Sequence, residues 1–428
     1  MGDITRQTGS FGAKNVVSKG ANYLNNLYRK IHDPLYRNAF LLTLSMLVAS
    51  ALGLFFWIIA AKLYSKEDVG VATALFSTGA LLVTISRLGF DQTLTRFFPQ
   101  GDKSKIFSSI IIVTTIITII FAISLAFIVV PFLPSLELIR SNFIFFVVFV
   151  ILLSYSIIAS SAFVASRKAG SSLFLNVIMG SRLVFLFPLI AVGALGILGS
   201  LTAAYFITML FSVVMLYRIG IRFRAIDWGF LRKSFWFSIG NYTSDVLNAI
   251  PVLILPAIVL QILGPTDAAN YYIAYALASI MFIVPSAFST SLFVEGSHGE
   301  DMSVNTKKAL KVSFLVLIPA IIAIYIFAES LLGLIGKDYA AESKELLIAL
   351  SFSAFFVSIY ATFITNFKVR TEVKKMVILS AVNCVLLIVL SIALMAQYGV
   401  NGIGYAWIIG FALSVGAGLL LTNTHHLS

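Results

Sequence analysis

Charged side chains are scarce in this sequence: they make up 11% of its 428 residues, where a soluble globular chain carries about 25%. That shortage excludes a water-facing surface for most of the chain. Cysteine is nearly absent. Cys384 stands alone inside an apolar run, which excludes disulfides and cysteine-ligated metal. No GxxxxGK[ST] loop occurs, so ATP is not bound through a P-loop. His32, His298, His425 and His426 fall outside the apolar runs and off metal-ligand spacing. No long polar insertion is present to house a catalytic domain, so neither enzymatic activity nor a cofactor is expected. A secretory signal is not expected either, because the first 37 residues are polar and the run 38–61 is too long for a signal-peptide core.

What is abundant is apolar surface, at 59% of residues with a mean hydropathy of +0.99. Long apolar runs predict twelve transmembrane helices, each near the roughly 20 residues that a bilayer core requires. They fall at 38–61, 70–90, 106–131, 142–165, 171–191 and 195–217, then at 234–262, 269–294, 309–330, 345–366, 376–396 and 401–421. The expected fold is an all-α polytopic membrane protein.

A net charge of +12 would point to nucleic acid in a soluble chain, but the distribution says otherwise. The tail and alternate loops hold 23 Lys and Arg, and the opposite loops hold five, namely Lys62, Lys66, Arg140, Lys337 and Lys344. Basic residues are retained on the cytoplasmic side, so both termini of this cell-membrane protein are expected in the cytoplasm, with membrane lipids rather than nucleic acid as partners. A basic and aromatic stretch at 218–233 divides the chain into six-helix lobes at 38–217 and 234–428, and it has the composition of an interfacial helix. The tail 1–37 carries Val17, Leu24, Leu27, Tyr28 and Ile31 on one face of a helix over 14–31, or else is a disordered basic tail. Leu63–Asp68–Gly70 echoes Leu263–Asp267–Asn270, and Leu195–Gly196–Gly199 echoes Val400–Asn401–Gly404. With six spans per half, a repeat places the pseudo-two-fold axis along the membrane normal and the substrate path between the lobes.

Charge within a span costs several kcal/mol unless it finds a partner or water. Span 2 places Thr73, Ser77, Ala80, Thr84, Arg87 and Asp91 at helical spacing, as one polar-to-small stripe. Two readings stand: a cavity wall that offers the Arg87 guanidinium to an anion, or a structural Arg87–Asp91 pair at the helix end. Arg182 is mid-span, with Ile178, Met179, Phe185, Leu186 and Leu189 at helical spacing; that apolar face weakens a cavity role, and the side chain either points toward another helix or joins Arg87, Asp91, Thr84 and Ser77 as a candidate substrate-binding residue. Span 7 presents Ser238, Asn241, Asp245 and Asn248 before Pro251 and Pro256. A carboxylate between amides beside a breaking helix is the pattern of a coupling-cation site for a proton or sodium; interhelical hydrogen bonding is the rival reading. Tyr272, Tyr275, Ser279, Ser286 and Ser289 nearly share a face of span 8. Rings beside hydroxyls suit sugars, although an aromatic belt accounts for Tyr271 and Tyr272.

The segment 63–99 (LYSKEDVGVATALFSTGALLVTISRLGFDQTLTRFFP) resembles the opening region of polysaccharide flippases in the multidrug, oligosaccharidyl-lipid and polysaccharide exporter superfamily. Glu67, Asp68 and Gly70, then Leu88–Gly89 and Arg96–Phe97, stand where that family shows an acid before a Gly, a Leu-Gly and an Arg-Phe. Tyr398–Gly404 resembles its Gly-rich start of span 12. The resemblance implies alternating access and movement of a polyprenyl-diphosphate-linked oligosaccharide, with glycan-assembly proteins as partners. The family's cationic residues are not fixed in position, and Arg87 is the residue best placed for such a role. A drug antiporter of the same superfamily is the first alternative. A membrane glycosyltransferase or polymerase is the second, and its acidic catalytic residues find no suitable outer loop here.

Overall fold

The computed structural model describes residues 34–98, 101–297 and 302–423. The expected tail helix over 14–31 lies outside them. Among the described residues, eleven helices are long and apolar enough to cross a membrane, and no strand forms. Hydrocarbon offers no partner to a backbone N–H or C=O, so each segment must satisfy its own, and a helix does this. The chain is a multi-pass, nearly all-helical membrane protein.

The first half holds α1 (Pro34–Leu63), α2 (Lys66–Ser86), α3 (Phe90–Phe97), α4 (Lys103–Ser124), α5 (Phe143–Ala165), α6 (Ala169–Met179), α7 (Arg182–Phe185) and α8 (Ala194–Arg218). The second holds α9 (Trp228–Ile262), α10 (Pro265–Ser297), α11 (Met302–Gly333), α12 (Lys337–Val369), α13 (Val373–Tyr398) and α14 (Asn401–Asn423).

Three expectations are corrected. The fifth span is not continuous over 171–191: α6 stops at Met179, and successive i→i−3 bonds at Gly180, Ser181, Leu183 and Val184 replace the helical ladder. Pro188, which lacks an N–H, prevents recovery. Backbone freed inside a membrane needs another partner, and the Tyr64 hydroxyl supplies one, donating to the Leu186 carbonyl at 2.7 Å. Burial and the Asp68 carboxylate push the ionisation of Tyr64 up, which keeps it a donor. Second, the span 2 stripe is not on one helix. It breaks after Ser86, where Leu88 and Gly89 take φ of 49° and 73°. Third, residues 221–227 form no interfacial helix. They run as a strap pinned to α4, with the N–H groups of Arg222, Arg224 and Asp227 donating to Ser104, Ser108 and Ser109 at 3.0, 2.8 and 2.8 Å.

The halves repeat two backbone devices. Arg167 and Thr371, after α5 and α12, take φ of 56° and 57°. The following N–H of each, Lys168 or Glu372, reaches back to Phe163 or Phe367 at 2.9 and 2.8 Å. Gly193 and Gly399, before α8 and α14, share φ, ψ near 62°, −137° and 56°, −144°, a region open essentially to glycine alone. This pairing shifts by one residue the echo expected between Leu195–Gly196–Gly199 and Val400–Asn401–Gly404.

Helix α2 joins the halves, packing on α5 and α8 of the first and on α9 and α10 of the second. Where α2 and α10 begin, a Cβ added to Gly70 would lie 1.8 Å from the Pro265 carbonyl oxygen, so a side chain there is excluded. At the same end Lys66 pairs with Glu342 of α12 at 2.6 Å, and Asn270 donates to Glu342 at 2.7 Å. Asp68 instead stays within its half, accepting from the Ala194 N–H at 2.9 Å.

Candidate functional site

Arg182 opens α7 directly after the broken turn, so the helical spacing that surrounded it with apolar neighbours does not hold across Gly180–Ser181. Its side chain lines a cavity of about 400 Å³ together with Ser156, Ser160, Ser161, Asn176, Tyr205 and Thr208. The guanidinium carbon sits 5.2 Å from the Phe56 ring centroid, a cation–π contact. Tyr205 and Tyr272 are within its electrostatic reach. Among the described residues no carboxylate pairs with it, and its Nε is buried without an acceptor. A guanidinium presents a planar fork of donors that fits phosphate oxygens two at a time. The hydroxyls and the amide add neutral donors around it. Asn176, the sole amide of the fifth span, is itself fixed by donating to Ser45 Oγ at 2.8 Å.

Arg87 and Asp91 are paired, at 2.8 Å and with side chains 16% and 27% exposed. The break between α2 and α3 therefore preserves the contact that helical spacing suggested. The Arg87 Nε remains buried and unpartnered, so the fork is only half used. Tyr242 of α9 donates to the Thr84 carbonyl at 3.2 Å and to that of Ile85, which ties this end of α2 to the second half. Thr84 spends its own hydroxyl on the Ala80 carbonyl at 2.8 Å, and Ser77 is buried at 2% exposure. The stripe is thus largely packed. Neither Arg87 nor Asp91 is among the residues lining the Arg182 cavity.

In span 7, Asn248 enters a polar network. It donates to the Ser244 carbonyl at 2.9 Å and to Ser380 Oγ at 3.1 Å, and it accepts from the Tyr360 hydroxyl at 2.6 Å. Asp245 is exposed, and the side chain of Asn241 lies outside the described residues. Sequence reasoning missed Ser244, Tyr360 and Ser380. Ser244 carried a signal, four residues before Asn248 on the same face; the other two come from α12 and α13, where no periodicity links them to α9. Tyr271, expected in an interfacial belt, is fully buried.

The family profile described as "Polysaccharide biosynthesis protein" matches residues 35–293. No curated protein matches the chain. Among solved structures, an inward-facing multidrug resistance MATE family transporter of the MOP superfamily is similar over 88% of this chain and 94% of that one, at 14% identity and a TM-score of 0.71. The lipid II flippase MurJ, in an inward closed conformation, is similar over 90% and 87%, at 16% identity and a TM-score of 0.72. A MOP superfamily transporter from Pyrococcus furiosus matches over 92% and 95%, at 13% identity and a TM-score of 0.62. At such identities the likeness shows the fold, which is that of these transporters.

Proposed function

The chain belongs to the polysaccharide biosynthesis protein family, and from that membership we propose that it moves a polyprenyl-diphosphate-linked oligosaccharide across the cytoplasmic membrane by alternating access. The observation that carries the reading is Arg182, a cation in the membrane interior with no carboxylate partner among the described residues, in a cavity walled by hydroxyls. Such a charge is costly unless a partner arrives. A diphosphate is that partner. Arg87, tethered by Asp91, is a second cation that exchanges its carboxylate for the substrate as it passes.

A multidrug antiporter needs anionic side chains for cationic drugs, and no Asp or Glu lines the Arg182 cavity. The two six-helix lobes, 38–217 and 234–428, move against each other around the contacts of α2 with α9 and α10. With both termini cytoplasmic, the Lys66–Glu342 end faces outward and is shut, so the site loads from inside. Cysteines replacing Ser65 and Ser303 then label from opposite sides in intact cells, with Ser65 outside. A proton or sodium couples transport through Asp245 on span 7.

The deciding measurement uses protein in liposomes with a fluorescent polyprenyl-diphosphate oligosaccharide, read as protection from an external glycosidase. Flipping that exceeds protein-free liposomes, and that a cation gradient accelerates, is the expected result. Efflux of an organic cation without oligosaccharide transfer sinks the proposal.

A further inference from the structure

Within the second half lies a cavity of about 330 Å³ whose chemistry differs from that around Arg182. Its walls include four aromatic rings. Trp407 stacks on Phe282 at 5.4 Å and 24°, and it meets Phe411 at 5.6 Å. Phe411 in turn contacts Tyr360 at 5.4 Å. Asn248 and Asn383 are the amides, and no Asp, Glu, Lys, Arg or His lines the space. Exposed Ser286 and Thr290 mark its mouth.

Two donors here are unused, and that of Trp407 is buried. The Trp407 indole N–H is buried without an acceptor, although the residue is only 3% exposed. Asn383 accepts from Ser414 through its oxygen at 3.0 Å, and its amide nitrogen donates to no described residue. An unpaired buried donor is costly, and a tryptophan in a core normally finds an acceptor.

Aromatic rings occupy much of the space between the two cavities. From Arg182 the path runs over Phe56 to Trp57 at 5.1 Å, then to Tyr272 of α10 at 4.7 Å. One turn on, Tyr275 meets Trp407 at 5.6 Å. The Trp57–Tyr272 contact crosses from the first half to the second, and Trp407 lines the same cavity as the two amides.

We infer that this ring-and-amide cavity of the second half is a saccharide subsite, which takes one sugar ring of the substrate while the diphosphate lies at Arg182. Sugars present apolar C–H faces that lie against rings, and hydroxyls that accept from neutral N–H donors. They bring no charge, and the lining offers none. An organic cation would find rings but no counter-charge. The volume is near the lower end of the about 300–1,000 Å³ usual for ligand clefts, which suits a single ring rather than a whole oligosaccharide. The inference rests on the lipid-diphosphate reading above, which supplies the rest of the substrate.

The test uses two carriers, polyprenyl diphosphate with one N-acetylhexosamine and bare polyprenyl diphosphate, bound to protein in nanodiscs. The native protein is expected to hold the glycosylated carrier about tenfold tighter, the scale of one or two neutral hydrogen bonds. Ser286→Phe, which plugs the mouth from an exposed position, and Trp407→Phe, which keeps a ring and removes the N–H, are each expected to erase that preference without changing affinity for the bare carrier. Equal affinity for both carriers in the native protein, or equal loss of both in the variants, overturns the subsite. Failure of both carriers to bind overturns the flippase reading instead. The cavity is then decided on its own by Trp407 fluorescence: quenching by methyl glycosides that vanishes in Trp407→Phe supports it, and no quenching overturns it. Displacement of the glycoside by tetraphenylphosphonium also overturns it, in favour of a drug pocket.

Discussion

The fifth segments of the two halves begin and end alike and differ between. Each starts after a left-handed residue, Arg167 or Thr371, and each ends at a glycine in the same rare conformation, Gly193 or Gly399. Between them α13 runs unbroken from Val373 to Tyr398, whereas the first half breaks at Gly180 and places Arg182 in the gap. The scaffold is therefore common, and the break is a local departure that coincides with Arg182, a cation for which no carboxylate partner stands among the described residues. A continuous helix would have exposed that guanidinium to a shell of apolar side chains. The break turns it into a hydroxyl-lined cavity, while the intact half keeps a cavity without charge. On the readings proposed above, the half with the intact helix takes what is neutral and the broken one takes what is anionic.

The comparison can be broken most sharply at Arg182. Arg182→Ala is expected to lower oligosaccharide transfer about a hundredfold, the scale of charge-assisted hydrogen bonds to a buried anion, with normal insertion and yield. Arg182→Lys should recover part of it, since an ammonium keeps the charge and loses the fork. Native-rate transfer by the alanine variant would falsify the assignment.

Arg87 tests whether the first half holds a second working cation. Arg87→Ala is expected to slow transfer about tenfold, near one charged hydrogen bond, and Asp91→Asn less than that. If both variants instead lose folded yield equally, the pair is structural. In the second half, Asp245→Asn is expected to leave transfer running and remove its acceleration by a cation gradient. Retained gradient dependence would leave Asp245 as a hydrogen-bonding group only.

The smallest effect separates the matched glycines. Alanine at either costs about 1–3 kcal/mol of backbone strain. At Gly193 the new Cβ also lies 2.6 Å from Asp68 Oδ1, whereas at Gly399 it meets nothing within 4 Å. Thermal unfolding in detergent should therefore place Gly193→Ala below Gly399→Ala. The reverse order would mean that Asp68 gives way freely.

Much of this was legible in one dimension. Spans are written in composition, because lipid tolerates only long apolar helices there, and eleven of the twelve read that way. The Arg87–Asp91 pair was legible too, as a four-residue spacing that survived even the loss of its helix. The cavity around Arg182 was not legible, although the residue stood out as a charge within a span. Its apolar surroundings were inferred from a 3.6-residue period that stops applying at Gly180, and Pro188 alone did not locate the break. The serines that hold the 221–227 strap lie more than a hundred residues before it, and no local spacing links them to it. The ring path was invisible for another reason. Trp57, Tyr272 and Trp407 belong to three helices far apart in sequence, and nothing local couples them.

Gly70 has a consequence for how the chain is made. Its missing side chain is a notch for the Pro265 carbonyl, yet the ribosome reaches Pro265 only after the intervening residues have been added, on the order of 10–40 s later at about 5–20 residues per second. Until then α2 waits in the bilayer with the notch unfilled and Lys66 without Glu342. Joining the two halves is thus a late assembly step, scheduled by chain order, and a slow or truncated second half would leave the first inserted but unlatched, a natural mark for membrane quality control.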